Sequence, residues 1–169
     1  MTEEHISNPE KGLPLGSKAP MIEKNDVLEN PVNFLNQIQN SRGILLDFSR
    51  GAWWIYWKKQ LSKLNQSIAE FEKRNIILIA ISTDRAKALK NLAEKEEYKF
   101  IVVSDEDAKI SMEYNVFGKP IDYDMIKFEL AIPTTYLIDS NGIIVWRYVG
   151  TKTDRPSIEE ILEAIDNKL

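Results

Sequence analysis

The chain has 169 residues, 43% hydrophobic and 28% charged, which suits one soluble globular unit able to bury a full core. With 22 Lys and Arg against 26 Asp and Glu, its net charge of −4 argues against nonspecific nucleic-acid binding and against a polybasic membrane contact. It contains no cysteine and one histidine, His5, so disulfides, thiol catalysis and thiolate metal sites are excluded and multi-histidine metal sites nearly so. The apolar runs, such as Ile76-Ile77-Leu78-Ile79-Ala80-Ile81, fall far short of the roughly 20 residues that a bilayer needs. The acidic, polar start, MTEEHISNPEKG, has neither a basic nor an apolar signal region, and a cytoplasmic location is the expectation.

Breakers at Pro9, Gly12, Pro14, Gly16 and Pro20 predict an extended or disordered lead-in over residues 1–20. Asn30 as cap and Pro31 at the first helical position predict a short helix over 31–39. The apolar run GILLDFS, 43–49, predicts a buried strand. Trp57, Leu61, Leu64, Ile68 and Phe71 then recur at helical spacing, so one helix is expected to reach Arg74-Asn75, with Lys58, Lys59 and Lys63 on its solvated face. NIILIAIST, 75–83, has the unbroken apolar character of a parallel strand covered on both faces. Asp84 is expected to cap a helix over 85–97, with a strand at 99–104 following it. Asp105 or Asp107 is expected to open a short helix to Tyr114. An irregular connection covers 115–130. Two strands, 134–139 and 143–149, flank Ser140-Asn141-Gly142, a hairpin signal, and Ser157 caps a last helix over 158–168. There is no internal repeat, no low-complexity segment and no glycine-rich phosphate loop. The order β-α-β-α-β-α-β-β-α predicts a mixed sheet with helices on both faces.

That order, with Ile132-Pro133-Thr134 ahead of the hairpin, resembles the thioredoxin-like arrangement: an α/β/α sandwich with a mixed central sheet and a terminal hairpin plus helix. The segment FSRGAWWIYWKKQLSKL, 48–64, resembles the active-site turn of the peroxiredoxin-like branch of the alkyl hydroperoxide reductase/thiol-specific antioxidant (AhpC/TSA) redoxin family. Arg50, Gly51, Trp53 and Tyr56 match that turn in register. Trp54 stands at the peroxidatic cysteine, Ile55 at the proline that follows it and Trp57 at the second cysteine. Ala80-Ile81-Ser82, the segment Phe100 to Asp105, the segment Pro133 to Asp139 and the segment Arg155 to Leu162 are similar to further family segments, in the same order. The resemblance implies one redoxin domain over 21–169 and a cis peptide bond before Pro133.

The family's chemistry requires a thiolate at a helix N-terminus, and an indole cannot replace it. Catalytic residues are therefore none expected, with Trp54 and Trp57 as degenerate site positions, and no cofactor or metal is implied. The expected role is binding or scaffolding through Arg50, Trp53, Trp54, Tyr56, Pro133 and Arg155, toward a protein or an apolar small molecule, with a homodimer left open. Trp57 also reads as core, in phase with its helix stripe, and Trp53 as structural. Trp54 divides between packing, a ligand surface and a mistranslated selenocysteine codon. Arg50 and Arg155 divide between anion binding and pairing with Asp47, Asp105 or Asp154. Two alternatives stand beside the binding reading. One is an enzyme with non-cysteine chemistry built on Asp47, Arg50 and Arg155; the other is a structural subunit of an active peroxiredoxin-like partner.

Overall fold

The computed structural model describes residues 3–49, 55–119 and 129–169. Its centre is a six-stranded sheet in the order β1-β10-β9-β4-β5-β6. The strands are β1 (His5–Ile6), β4 (Gly43–Ser49), β5 (Ile76–Ser82), β6 (Ile101–Ser104), β9 (Thr134–Asp139) and β10 (Ile144–Val149). β4, β5 and β6 run parallel, β9 is antiparallel to β4, and β10 forms the antiparallel hairpin with β9. Gly142 closes that hairpin at φ 79°, where a Cβ would be strained. β1 adds a parallel edge to β10.

Alternation along the strands sorts the core into two faces. Leu45 faces α2 (Ile55–Gln66), α3 (Ile68–Lys73), α4 (Ala86–Lys95) and α6 (Ile158–Lys168), packing with Trp57, Leu61, Phe71, Leu89 and Ile161. Ile44, Leu46 and Phe48 face the other way, toward α1 (Phe34–Gln39) and α5 (Lys109–Glu113), and pack with Phe34, Ile38, Ile110 and Tyr114. This is the predicted mixed sheet between two helix layers. Two small two-stranded ladders lie outside it: β2 (Glu23–Asn25) with β3 (Pro31–Asn33), and β7 (Phe117–Gly118) with β8 (Leu130–Ala131).

Several expected elements are corrected. Pro31–Asn33 is strand, not the start of a helix, and α1 begins three residues later with Asn33 as its cap, accepting from Asn36 N–H. The cause is Asp26: its Oδ1 accepts from the N–H groups of Leu28 and Asn30, folding 26–30 into a turn that presents Pro31 as an edge-strand residue. The long helix predicted from Trp57 to Phe71 is two helices broken at Ser67. Asp84 does not cap α4. It instead accepts from Ser82 Oγ, and Arg85 occupies the cap position without a side-chain bond. Asp105 and Asp107 do organise the start of α5, accepting from the N–H groups of Ile110 and Ser111 and from that of Lys109. Ser157 makes the full capping box with Glu160. The lead-in is extended and tied to the sheet: Gly12 N–H donates to Asn115 O, Gly16 N–H to Ile144 O, and Arg147 Nη1 to Leu13 O.

Candidate functional site

β4 delivers Asp47 to the α2/α6 face, because it alternates with Leu46 and Phe48, which point to the other core. Asp47 is 1% exposed. Strand register places Thr135 of β9 directly opposite it, and Thr135 Oγ1 donates to Asp47 Oδ1 at 3.0 Å. In the first turns of α2, Trp57 lies fully buried among Leu61, Leu64 and Phe71, and its Nε1 donates to Asp47 Oδ2 at 3.0 Å. Both carboxylate oxygens therefore have a donor. Burial still pushes the Asp47 carboxyl up from 3.8 to about 6, against the opposing pull of the Arg155 charge and of the two hydrogen bonds. Trp57 thus does what its helical phase predicts, and adds a polar contact that the phase alone does not show.

Arg155 arrives from the loop between β10 and α6. Its Nε donates to Lys152 O at 3.2 Å and its Nη1 to Gln60 Oε1 at 3.1 Å, Gln60 being a buried residue of α2. The loop's path depends on Gly150, where an added Cβ would meet Asp154 O at 1.9 Å, a contact with backbone that no rotamer relieves. Asp154 joins a cluster with the first strand and β10. Its carboxylate accepts from Ser7 Oγ and Tyr148 OH, both at 2.6 Å, and lies 2.6 Å from His5 Nε2. Asp105 is taken up by the α5 backbone. Asp47, by contrast, feels the Arg155 charge, which pulls its carboxyl down against burial.

Tyr56 is half-buried beside this cluster, with Lys152 Nζ 5.7 Å and Lys59 Nζ 6.0 Å from its ring centre. Arg50, Trp53 and Trp54 lie outside the described residues. Pro133 is buried at the start of β9, but the expected cis bond is not found: every described peptide bond, Ile132–Pro133 included, is trans. The chain passes extended from β8 into β9 there, with Gly150 N–H donating to Pro133 O at 2.8 Å as a continuation of the β9–β10 ladder. An extended path keeps the isomer that is intrinsically favoured by about 0.5–1 kcal/mol. The structure brings together Asp47, Trp57, Tyr56 and Arg155, and adds Thr135 and Gln60, which the sequence reading passed over. Gln60 had a signal, since it lies one helical turn after Tyr56. Thr135 had none, because its role depends on the register of β9 against β4.

A mixed sheet enclosed by two helix layers, with Pro133 entering the strand beside β4 and a helix starting just beyond it, defines a thioredoxin-like α/β/α protein. The indole of Trp57 fills the place where the resemblance sets a second cysteine. The chain belongs to the AhpC/TSA family, whose match spans residues 15–147. It is 26% identical over 154 residues to the thiol-disulfide oxidoreductase ResA of Bacillus cereus, covering 90% of this chain and 79% of that protein. It is 31% identical over 98 residues to the peroxiredoxin Bcp of Escherichia coli, covering 56% of this chain and 60% of that one. Among solved structures, a cysteine-to-serine mutant of peroxiredoxin 6 of Arenicola marina superposes with a TM-score of 0.80 at 20% identity, over 92% of this chain and 73% of that chain. A cysteine-to-serine mutant of PrxQ from Xylella fastidiosa gives 0.78 at 19% identity, over 91% and 96%. No helix among the described residues is long and apolar enough to cross a membrane.

Proposed function

We propose that this chain is a family member that works by binding, not by thiol turnover. The observation that carries the reading is the fate of position 57. The indole is committed to the core and hydrogen-bonded to a buried carboxyl, in a chain of 169 residues that holds no cysteine. The position where the resemblance sets the second cysteine carries packing here, and with no cysteine anywhere in the sequence the peroxide O–O bond has no sulfur nucleophile to meet. The surface we assign to binding comprises the aromatic turn at 53–57, the Pro133 region and Arg155, toward a protein or a small molecule. The alternative of an acid–base enzyme built on Asp47 is less well supported, because that carboxyl is sealed and both its oxygens are engaged.

The test is native mass spectrometry of the full-length protein purified from its source, run beside assays of peroxide consumption and disulfide reduction. A retained ligand or partner subunit, the mass expected for Trp at position 54 and no turnover above buffer are the expected results. A cysteine-bearing peroxiredoxin-like subunit in the complex selects the structural-subunit form of the reading. Catalytic peroxide consumption, or a mass showing another residue at position 54, overturns it.

A further inference from the structure

Tyr56, Lys59, Gln60 and Lys63 fall at positions i, i+3, i+4 and i+7 of α2, so they form one stripe of the helix. That stripe faces the loop before α6 across a cleft of about 220 Å³, closed on the far side by Arg155, Pro156, Ser157 and Ile158. Lys59 and Lys63 are exposed, as expected of the solvated face of the helix, and they also border this concavity.

The lining of this cleft differs in charge from that of the clefts beside Lys24 and Ser104 and along the sheet edge. The protein's net charge is −4, yet no lining residue of the cleft is acidic while Lys59, Lys63 and Arg155 all are basic. The clefts beside Lys24 and Ser104 and along the sheet edge at Tyr98 and Phe100 each include carboxylates, among them Asp26, Glu106 and Glu72. Neither Lys59 nor Lys63 has a carboxylate within ion-pair distance among the described residues. The acids of the α6 first turn are Glu159 and Glu160, and the latter is drawn onto the Ser157 N–H in the capping box. A further observation is independent of charge. Gln60 is 6% exposed, its Oε1 holds the Arg155 guanidinium, and its Nε2 has no hydrogen-bond partner among the described residues. A buried amide N–H left without an acceptor is costly, and here it lies in the residue that lines the cleft beneath Arg155.

We propose that the cleft between α2 and the 152–158 loop binds an oxyanion, the carboxylate or phosphate group of a small ligand, with Lys59, Lys63 and Arg155 supplying the charge and Gln60 positioning the guanidinium. The inference rests on the binding reading above and names the chemistry of its ligand. A guanidinium and two lysines on one concavity supply the positive charge that a planar or tetrahedral oxyanion requires, the lysines acting as point charges. The ring of Tyr56, with Lys59 and Lys152 close to its face, borders the mouth and leaves an aromatic wall for whatever the oxyanion is attached to.

The experiment is a titration of the full-length, ¹⁵N-labelled protein with inorganic phosphate and, separately, with acetate, at ionic strength held constant with chloride. Saturable shifts are expected in the amides of Lys59, Lys63 and Arg155 and in the Gln60 side-chain amide. Tighter binding of phosphate assigns a phosphate ligand, and tighter binding of acetate assigns a carboxylate. Lys59→Gln with Lys63→Gln, both at exposed positions, is expected to weaken binding by about tenfold or more, as loss of charge-assisted contacts does. An unchanged melting temperature in that variant separates loss of binding from loss of fold. Non-saturable or uniformly scattered shifts with both anions, or an affinity untouched in the double variant, overturn the site. If native mass spectrometry still finds a retained uncharged ligand or partner, the oxyanion site falls and the binding reading stands. If it finds neither a ligand nor a partner, both fall.

Discussion

The two faces of the central sheet bury polar groups in different ways. On the α1/α5 face Asp105 is engaged by the backbone at the start of α5, and the groups that reach across the core are neutral hydroxyls. Tyr114 OH donates to Pro20 O at 2.6 Å, and Tyr136 OH donates to Tyr114 O at 2.7 Å while accepting from Leu13 N–H at 2.9 Å. These bonds fasten the lead-in to the core, and burial moves both phenols further from any accessible titration. On the α2/α6 face the buried group is a carboxyl held by an indole and a threonine, with a titration moved up to about 6. The two phenol contacts stay neutral and add no pH dependence between pH 4 and pH 8, whereas the buried Asp47 carboxyl, raised in pKa, makes the other face's stability depend on pH. The chemically variable face is the one that carries α2, Arg155 and the cationic cleft.

The largest expected effect comes from Trp57→Ala, which removes a fully buried indole and the donor to Asp47 together; a loss of about 3–5 kcal/mol is expected from the cavity alone. Trp57→Phe retains most of the ring and deletes the donor. It should cost about 1–3 kcal/mol and move the Asp47 titration further up. Urea denaturation of wild type and both variants at pH 7.5 measures this, and a Trp57→Phe protein as stable as wild type would mean that the hydrogen bond contributes nothing.

Asp47→Asn addresses pH. The folded-state value of about 6 lies above the unfolded value of 3.8, so the folded protein holds this proton more tightly. Its contribution is present in full below about pH 4 and is lost as pH rises through about 6, a change of about 3 kcal/mol for a shift of this size. Asn keeps an acceptor for Trp57 Nε1 and does not ionise. The difference between wild type and Asp47→Asn should therefore grow in favour of the variant from pH 4 to pH 7, read from paired denaturation curves. Parallel curves across that range would show that the carboxyl is already ionised at little cost. On the opposite face, Tyr136→Phe leaves Leu13 N–H and the Tyr114 carbonyl without their partner. A loss of about 1–3 kcal/mol is expected, constant from pH 4 to pH 8.

Much of this contrast was legible in the sequence, and the rest shows what a linear reading leaves out. An acid inside GILLDFS marks Asp47 as unusual without a structure, and the spacing from Trp57 to Phe71 places the indole in the core. The capping box at Ser157 and the Asn141-Gly142 hairpin are local chemistry and survive intact. What escaped depends on partners far away in the chain. Thr135 meets Asp47 only through strand register, and Gln60 meets Arg155 across 95 positions. The Asn30-Pro31 helix start failed because Asp26 folds its own turn first, and that local hydrogen bonding outweighs a good cap signal. The lysines of α2 are exposed, as helical phase predicts, but phase does not show which polar stripe borders a cleft against another loop.

A second acidic cluster, at the sheet edge, sharpens the comparison. Asp154 collects contacts from Ser7, Tyr148 and His5, one more than Asp47 has, yet it is only partly buried and its carboxyl is shifted in the opposite direction, below 3.8. Burial opposes that shift, and the hydrogen bonds together with the charge of His5 overcome it. A lowered value contributes stability above about pH 4 that is lost as pH falls through the folded-state titration, the reverse of Asp47. Solvent screens the cluster, so His5→Ala should cost less than about 1 kcal/mol of global stability. Its effect should be local: the Ser7 N–H, which donates to Val149 O at 2.8 Å, should exchange faster as β1 loosens from β10. Faster exchange without a change in the denaturation midpoint would confirm that the number of hydrogen bonds does not decide which carboxyl governs stability and that burial does. A global loss as large as that of Tyr136→Phe would instead place the His5–Asp154 contact among the determinants of the core.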